Sequence, residues 1–259
     1  MRIALGVEYN GVSFCGWQSQ PNKGGVQDAL ELALQTIAGH AVRIHAAGRT
    51  DTGVHALMQV VHFDSDSVRP LSAWVRGVNA FLPSAVRVLW AHQVSDDFHA
   101  RFTATQRSYQ YVLVNQATVP AIQHDRVGWY HLPLDISQMQ QAIAFLRGEH
   151  DFSAFRASEC QAKSPVRKMV EATVEHTAEY LVFNFSANAF LQHQVRNMIG
   201  ALVYIGAGKQ TPVSMQMLLN ARDRTKSPPT FSPNGLYLSG VQYPAHFGLP
   251  DTQRRLSLL

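Results

Sequence analysis

The order of hydrophobic patterns along the chain constrains its fold more than any other feature. Residues 2–94 predict the order strand, helix, strand, strand, helix, strand, because runs of alternating apolar residues flank runs with helical spacing. Residues 108–243 predict the same order again, with one additional helix before the last strand. Only the order repeats, and not the residues. The sequence therefore predicts an α+β protein with two related split βαβ halves, residues 1–104 and 105–259.

Each predicted element follows from where its pattern begins and ends. In the first half, the patterns predict strands at 2–9, 42–45, 59–63 and 86–94, and helices at 26–37 and 71–82. In the second half, they predict strands at 108–114, 170–174, 181–185 and 236–243, and helices at 136–146, 191–205 and 213–221. Asp135 is expected to cap the helix at 136–146, and Gly148 to end it.

Composition indicates a globular protein without a membrane anchor. The chain has 259 residues and 46% hydrophobic residues, enough for one large domain or two small ones with a core. Cys15 and Cys160 match neither a metal-binding spacing nor a disulfide framework, so free thiols are expected, and one disulfide stays open as the alternative. The start predicts no secretory signal, and no apolar run is long enough to span a membrane. We therefore expect a cytoplasmic location.

The charge balance suits a polyanionic partner. The formal net charge is +4 and the pI is about 9.2. Basic residues are scattered along the chain, which favours a basic groove or face over a disordered basic tail. Two basic connections, 156–168 and 222–233, are candidate mobile loops that contact phosphates. Solvated surface loops are the simpler alternative for both.

The loop from Ala47 to Ala56 holds more chemistry than a turn needs. Its two glycines suit a turn, since glycine accepts backbone angles that other residues avoid. Arg49 and Asp51 lie two residues apart, and His55 follows closely. A simple Asp-Thr-Gly turn with a solvated arginine is the alternative, but the ten residues together indicate a functional loop.

This loop and three later stretches resemble the tRNA pseudouridine synthase A family. Residues 48–55 match the family's catalytic loop, Gly-Arg-Thr-Asp, a small residue, then Gly-Val-His. Thr52 stands where a smaller residue such as alanine is expected. The other matches are residues 97–102 with 107–111, residues 190–197, and residues 235–238. The four matches occur in the family's order, and the resemblance as a whole extends over nearly the whole chain.

The resemblance implies a fold, a reaction and a partner. It implies that the two halves, ferredoxin-like or RRM-like, join in one extended antiparallel sheet with a cleft between them. It implies a homodimer that converts uridine to pseudouridine at positions 38, 39 and 40 in the anticodon arm of tRNA. That reaction requires no redox cofactor or metal, and the chain shows neither a Cys/His ligand spacing nor a Gly-rich phosphate loop before a helix.

The resemblance also assigns roles to three central residues. Asp51 supplies the carboxylate next to ribose C1′, as nucleophile or as base, and the sequence leaves this choice open. Tyr109 stacks on the uracil, with its hydroxyl where the C5 proton leaves, although a strand tyrosine with its ring in the core is the alternative. Arg196 pairs with Asp51, although a surface arginine along apolar neighbours is the alternative.

Four further residues are expected to bind the substrate. A uridine inside a stem must flip out to react. Arg49 is expected to fill the space left behind or to hold the flipped nucleotide's phosphate. Arg101 and Arg107 are candidate phosphate contacts. Leu236 is expected to wall the base pocket, and an ordinary core leucine is nearly as good an interpretation.

Three other functions compete with this interpretation. A non-catalytic protein that binds structured RNA would fit the fold and the charge, but binding alone does not need a carboxylate such as Asp51. A pseudouridine synthase acting on another RNA would share the catalytic loop. A hydrolase that cleaves nucleosides would need a positioned water and usually a second carboxylate, and no obvious partner accompanies Asp51.

Overall fold

The computed structural model describes residues 1–21 and 24–256, which form two compact units. Unit 1 contains residues 1–106 and the chain from Tyr237 onward, and unit 2 contains residues 107–236. Both units combine helices with a sheet, so the predicted α+β class is confirmed. The sequence analysis assigned the C-terminal stretch to the second half. In the structure, this stretch packs with unit 1 because its first two residues pair with His55 and Ala56.

Ten strands and five α-helices position the candidate residues within the described chain. In chain order they are β1 (Arg2–Tyr9), α1 (Val26–Ala38), β2 (His45–Ala46), β3 (His55–Asp64), α2 (Val78–Phe81), β4 (Val86–Val94), β5 (Gln106–Asn115), β6 (Gly128–Tyr130), α3 (Ile136–Ala144), β7 (Gly148–Asp151), β8 (Val166–Thr177), β9 (Tyr180–Ala187), α4 (Gln194–Gly206), α5 (Val213–Ala221) and β10 (Leu236–Gln242).

In unit 1 the strands follow the order β4-β1-β3-β10, with β2 pairing on β3. β1 is antiparallel to both β3 and β4, whereas β10 runs parallel to β3. Helix α1 confirms the predicted helix and buries Val26, Leu30 and Leu34, which recur at helical spacing. The core of unit 1 therefore lies between this helix and the sheet.

Two predicted elements of unit 1 differ in the structure. The predicted strand at 42–45 is reduced to the two-residue β2, because the Ile44 N–H donates to the Glu31 carboxylate on α1 and not to a strand. The predicted helix at 71–82 forms, but Ala73–Gly77 is a π-helical turn in which the Val78 N–H reaches back to the Ala73 carbonyl.

In unit 2 the strands follow the order β5-β9-β8-β7, all antiparallel, with β6 parallel to β5. β6 and β7 are too short to show an alternating pattern, so the sequence did not predict them. The predicted cap of α3 is confirmed, since the Asp135 carboxylate accepts the Gln138 N–H at 3.1 Å. Gly148 does not end α3 but opens β7, with a φ of 102°.

Helix α4 begins three residues later than its hydrophobic pattern predicts. His193 has a φ of 61°, which interrupts the helical backbone before Gln194. The side chain of Gln194 accepts the N–H of Leu191 at 2.8 Å and so holds the chain entering the helix. Arg196 therefore lies in the first turn of α4.

Two sequence expectations concern the whole chain. Cys15 is exposed and Cys160 is buried, and the two are not joined in a disulfide, as predicted. Across residues 1–21 and 24–256, no helix combines the length and apolar character needed to cross a membrane.

A buried histidine lies near the C-terminal end of β3. The side chain of His62 is 2% exposed, and its Nδ1 accepts the Ala100 N–H at 3.1 Å. The rings of His45 and His99 lie 5.0 and 4.6 Å away, measured between centroids. Burial, together with these neighbouring imidazoles, lowers the pKa of His62 to about 3. The native protein therefore holds this ring neutral at physiological pH.

This neutral ring predicts a loss of stability in mild acid. Between pH 6.5 and 3 the unfolded chain binds a proton at His62 that the folded protein does not, so stability falls as pH drops through this range. At pH 5 the loss amounts to about 2 kcal/mol. In His62→Asn, the amide oxygen can replace Nδ1 as acceptor but does not titrate. Urea unfolding at pH 7 and pH 5 should show a smaller loss for the variant. Equal losses in both proteins would contradict the assignment.

Candidate active site

The loop that carries Asp51 runs back along β3 and is bonded to it. The Ala47 N–H donates to the Val60 carbonyl at 2.9 Å, and the Gln59 amide donates to the Gly48 carbonyl at 2.7 Å. A hydrogen bond of 3.1 Å from the Val54 N–H to the Asp51 carbonyl closes the turn. Gly53, at φ 79°, supplies the left-handed residue that this turn needs. The turn leaves Asp51 half-buried and Arg49 exposed.

Thr50, directly before Asp51, is anchored through both its side chain and its backbone. Its hydroxyl lies 2.8 Å from the buried Tyr9 hydroxyl, and its carbonyl accepts the Trp17 N–H at 3.0 Å. Gly16 adopts φ 84°, and a Cβ there would lie 2.8 Å from the Thr50 carbonyl oxygen. The connection between β1 and α1 therefore packs directly against the Asp51 turn and determines its backbone position.

His55 links the same loop to two neighbouring segments. Its Nδ1 accepts the Gly11 N–H at 3.2 Å, and its ring stacks on Tyr237 of β10 with centroids 4.7 Å apart. At Gly11 a Cβ would lie 2.0 Å from the Val54 carbonyl oxygen, so only glycine allows this approach. The histidine of the motif therefore holds the loop in place.

In unit 2, Tyr109 lies on β5 and its ring packs against Phe190. The ring meets that of Phe190 edge-on, with centroids 5.0 Å apart. Tyr109 is half-buried and pairs with Phe185 of β9, so it is not a core tyrosine. Tyr111, two residues on, shares its face of the sheet and contacts the ring of Phe231 at 6.0 Å.

Arg196 lies on the same side of unit 2 as Tyr109. Its Nε donates to the Phe231 carbonyl at 2.9 Å, and the Phe231 N–H donates back to the Arg196 carbonyl at 3.2 Å. The bond at Nε fixes the plane of the guanidinium and the direction of its two terminal nitrogens. Leu236 is 5% exposed at the start of β10, where its N–H donates to the Pro233 carbonyl.

The two remaining arginines occupy different environments. Arg107 is half-buried on β5 and donates to the Asn188 carbonyl at 3.0 Å. Arg101 is exposed, with its guanidinium 5.6 Å from the centroid of the Phe102 ring. It follows Ala100, which bonds to His62 at the opposite end of β3 from the Asp51 loop, roughly 23 Å of strand away. Unit 1 therefore groups Arg49 with Asp51, and Arg101 lies elsewhere.

Several supporting residues escaped the sequence analysis. Gly16 and Trp17 hold the Asp51 loop through their backbones, and Gln59 holds it through its side-chain amide. None of these residue types by itself predicts such a role. Among residues 1–21 and 24–256, no three His, Cys, Asp or Glu side chains converge as metal ligands would.

The chain matches a known protein family. A family model described as tRNA pseudouridine synthase matches residues 6–103 and 142–244. The chain belongs to the tRNA pseudouridine synthase family. The two matched stretches include the Asp51 loop and the Arg196 helix.

Relatives within the tRNA pseudouridine synthase family match over nearly their full length. The protein named tRNA pseudouridine synthase A from Methylobacillus flagellatus is 63% identical, and the alignment covers 100% of this chain and 99% of that protein. Proteins of the same name from Chromobacterium violaceum and Thiobacillus denitrificans are 58% and 56% identical. These alignments cover 97% and 98% of this chain, and 96% and 98% of those proteins.

The packing of Gly16 predicts how the loop can be disrupted from a distance. In Gly16→Ala, the new Cβ must displace the backbone of Thr50 and Asp51, so we expect pseudouridine formation to fall at least tenfold. Gly39→Ala is the matched control, since Gly39 also has a positive φ, 76°, but no atom lies within 4 Å of an added Cβ. Single-turnover rates on tRNA should separate the two variants. Equal rates would show that the Gly16 contact does not control the loop.

Proposed function

We propose that this protein converts uridine to pseudouridine at positions 38, 39 and 40 in the anticodon arm of tRNA. The observation that carries this proposal is the Asp51 turn, held rigidly from β3 and from the β1–α1 connection within the family's catalytic motif. Membership of the family and the names of the relatives support tRNA as the substrate.

The reaction is an isomerisation and consumes no co-reactant. The bond between ribose C1′ and uracil N1 breaks, the base turns, and a bond forms between C1′ and C5. The C5 proton then leaves and N1 takes up a proton, so that the product is an isomer of the substrate. The Asp51 carboxylate acts at the sugar, as nucleophile at C1′ or as base, and its rigid turn keeps it near the reacting carbon. We propose no metal and no organic cofactor for any step.

Three residues at or near unit 2 also have roles in this proposal, taken from the resemblance to the family. Tyr109 presents a half-buried ring, supported by Phe190, that can stack on the flipped uracil. From the resemblance to the family, we propose that Arg196 pairs with the Asp51 carboxylate, because a cation keeps a carboxylate oriented beside an anionic RNA. Leu236 supplies an apolar wall for the base.

Three arginines serve as the proposed contacts to the RNA around the flipped nucleotide. Flipping a paired uridine costs a few kcal/mol, which contacts to the extruded nucleotide must offset. Exposed Arg49, two residues before Asp51, holds its phosphate or fills the vacated space. Arg107 and Arg101 contact phosphates, and Arg101 does so away from Asp51, given its place at the far end of β3.

The basic connection at 156–168 offers fewer side chains for phosphate contacts than its charge suggests. Arg156 donates to the carbonyls of Cys160 and Ala162, and Arg167 to those of Ser164 and Val166, so both arginines bind their own loop. Lys163 and Lys168 are exposed. We therefore propose that the lysines of this connection contact the tRNA backbone.

We also propose that the protein acts in the cytoplasm as a homodimer that binds one tRNA across both subunits. This assembly rests on the resemblance to the family. Its consequence for the site is that residues of two chains contact each tRNA, so binding surfaces outside the Asp51 loop contribute to affinity.

Replacing Asp51 tests the catalytic assignment and the competing RNA-binding function together. Asp51→Asn keeps the shape of the side chain but removes the nucleophile or base. We expect tRNA binding within about threefold of the wild type, and turnover below detection, at least about a thousandfold lower. Steady turnover by the pure variant would refute the assignment. Wild-type protein that binds tRNA but forms no pseudouridine would instead favour the non-catalytic function.

Arg196 should affect rate more than affinity. Lysine keeps the positive charge but lacks the planar fork that bonds Phe231 and a carboxylate at once. Arg196→Lys should lower the single-turnover rate roughly tenfold to a hundredfold, at about 1.4 kcal/mol per factor of ten, and Arg196→Ala should lower it further. Filter binding should show nearly unchanged affinity for both. A loss confined to affinity would make Arg196 a phosphate contact.

The salt dependence of tRNA binding tests whether the lysines of the connection at 156–168 contact phosphates. Each phosphate contact contributes roughly 0.7 to 0.9 to the slope of log affinity against log salt. Lys163→Gln combined with Lys168→Gln should therefore flatten the slope by roughly 1.5. Lys209→Gln is the control for losing one lysine charge elsewhere and should leave the slope unchanged, because its ammonium rests 4.8 Å from the centroid of the Tyr204 ring. An unchanged slope in the double variant would make this loop a solvated surface.

A further inference from the structure

The segment before β10 contains an arginine that donates to four neutral groups of its own unit. Arg224 donates to the carbonyls of Ser227 and Pro228 at 3.0 and 3.1 Å. It also donates to the side-chain oxygens of Asn197 and Thr230 at 3.2 and 3.1 Å. These four hydrogen bonds place the guanidinium at the centre of a folded loop. No lysine could reach all four acceptors.

Asn197 connects this loop to the start of α4. It is fully buried and directly follows Arg196. Its amide nitrogen donates to the Phe155 carbonyl at 2.8 Å, while its oxygen accepts from Thr230 at 2.7 Å and from Arg224. The first turn of α4 is therefore tied both to the turn at Phe155 and to the loop.

Close packing excludes other arrangements of the same loop. A Cβ at Gly200, one turn after Arg196, would lie 2.3 Å from the Pro229 carbonyl oxygen. The loop backbone thus lies directly against the helix. Burial lowers the pKa of Arg224, although the guanidinium stays charged, so the loop retains a partly desolvated cation among neutral dipoles. An apolar side chain would avoid that desolvation cost, which suggests that the cation serves more than packing.

The loop leads to Phe231, whose carbonyl oxygen orients Arg196. Phe231 directly follows Thr230, and its carbonyl accepts the Nε of Arg196 at 2.9 Å while its N–H donates to the Arg196 carbonyl. The position of this carbonyl is determined by the residues before it, which Arg224 gathers. A shift of the loop would turn the plane of the Arg196 guanidinium.

We infer that Arg224 is a positioning residue for pseudouridine formation: by holding residues 227–230 against α4, it sets the direction in which Arg196 presents its guanidinium. This inference rests on the proposed function, because Arg196 must act on the reacting nucleotide. Arg224 itself touches neither the base nor the sugar in this account.

The neighbouring arginine provides the contrast. Arg222 lies two residues earlier, its side chain is 67% exposed, and it forms a loose ion pair with Asp151 at 3.7 Å. The sequence analysis treated both arginines as candidate phosphate contacts of one basic loop. The structure turns Arg224 inward and leaves Arg222 at the surface, so the two should respond differently to the same substitution.

The test compares Arg224→Lys with Arg222→Lys in the full-length protein, using single-turnover rates and tRNA affinity. Arg224→Lys should lower the rate about tenfold or more and leave affinity within about twofold, and Arg222→Lys should change neither. Loss of affinity without loss of rate in Arg224→Lys would make it a phosphate contact and overturn the inference. Unchanged rate and affinity would overturn it as well.

A double-mutant cycle shows whether the effect passes through Arg196. In an Arg196→Ala background, Arg224→Lys should cause no further loss of rate, because the group that it positions is absent. An equal fold-loss in both backgrounds would show that Arg224 acts independently and would refute the inference. Should Arg224→Lys fail to fold, Thr230→Val removes one acceptor of Arg224 and the bond to Asn197, and the same criteria apply to it.

Failure of this inference and failure of the proposed function give different results. An active wild type whose Arg224→Lys variant is equally active refutes only the positioning role. A wild type that forms no pseudouridine in tRNA refutes the proposed function, and the positioning role with it.

Discussion

The structure depends on the anchoring of Thr50, the residue before Asp51. Its hydroxyl bonds Tyr9 on β1, and its carbonyl bonds the backbone of Trp17 before α1. A carboxylate on an unrestrained surface turn would sample many conformations. Restricting it to the reactive one before reaction would cost conformational entropy. Because this turn is hydrogen-bonded to the first strand and to the segment before the first helix, folding of unit 1 itself orders the Asp51 backbone.

Unit 2 restrains its cation, Arg196, in a comparable way. Arg196 is held through a backbone carbonyl, and the loop that supplies this carbonyl is organised by Arg224 and Asn197. In both units, hydrogen bonds to backbone atoms restrain the segment that carries the proposed reactive group. Asp51 lies in the loop that precedes β3, and Arg196 lies in the first turn of α4. Charge-neutral partners suit this purpose, since they orient a charged group without neutralising it.

The sequence predicted the long periodic elements and the motif residues better than the supporting contacts. Helix α1 and the strands β1, β4 and β5 follow their patterns, because their apolar residues repeat over eight or more positions. The late start of α4 depends on the left-handed backbone at His193, which no hydrophobic pattern shows. The return of β10 to unit 1 depends on pairing with a strand far away in sequence. The role of Arg224 depends on carbonyl acceptors, which composition does not reveal.

The most direct test of this account maps pseudouridine in a tRNA treated with the purified protein. An unmodified transcript carrying uridines at positions 38, 39 and 40 and elsewhere would be incubated with the wild type and sequenced after chemical marking of pseudouridine. The account predicts pseudouridine within positions 38 to 40, with the other uridines unchanged and no free uracil released. Pseudouridine only at other positions, release of uracil, or no modification at all would contradict it.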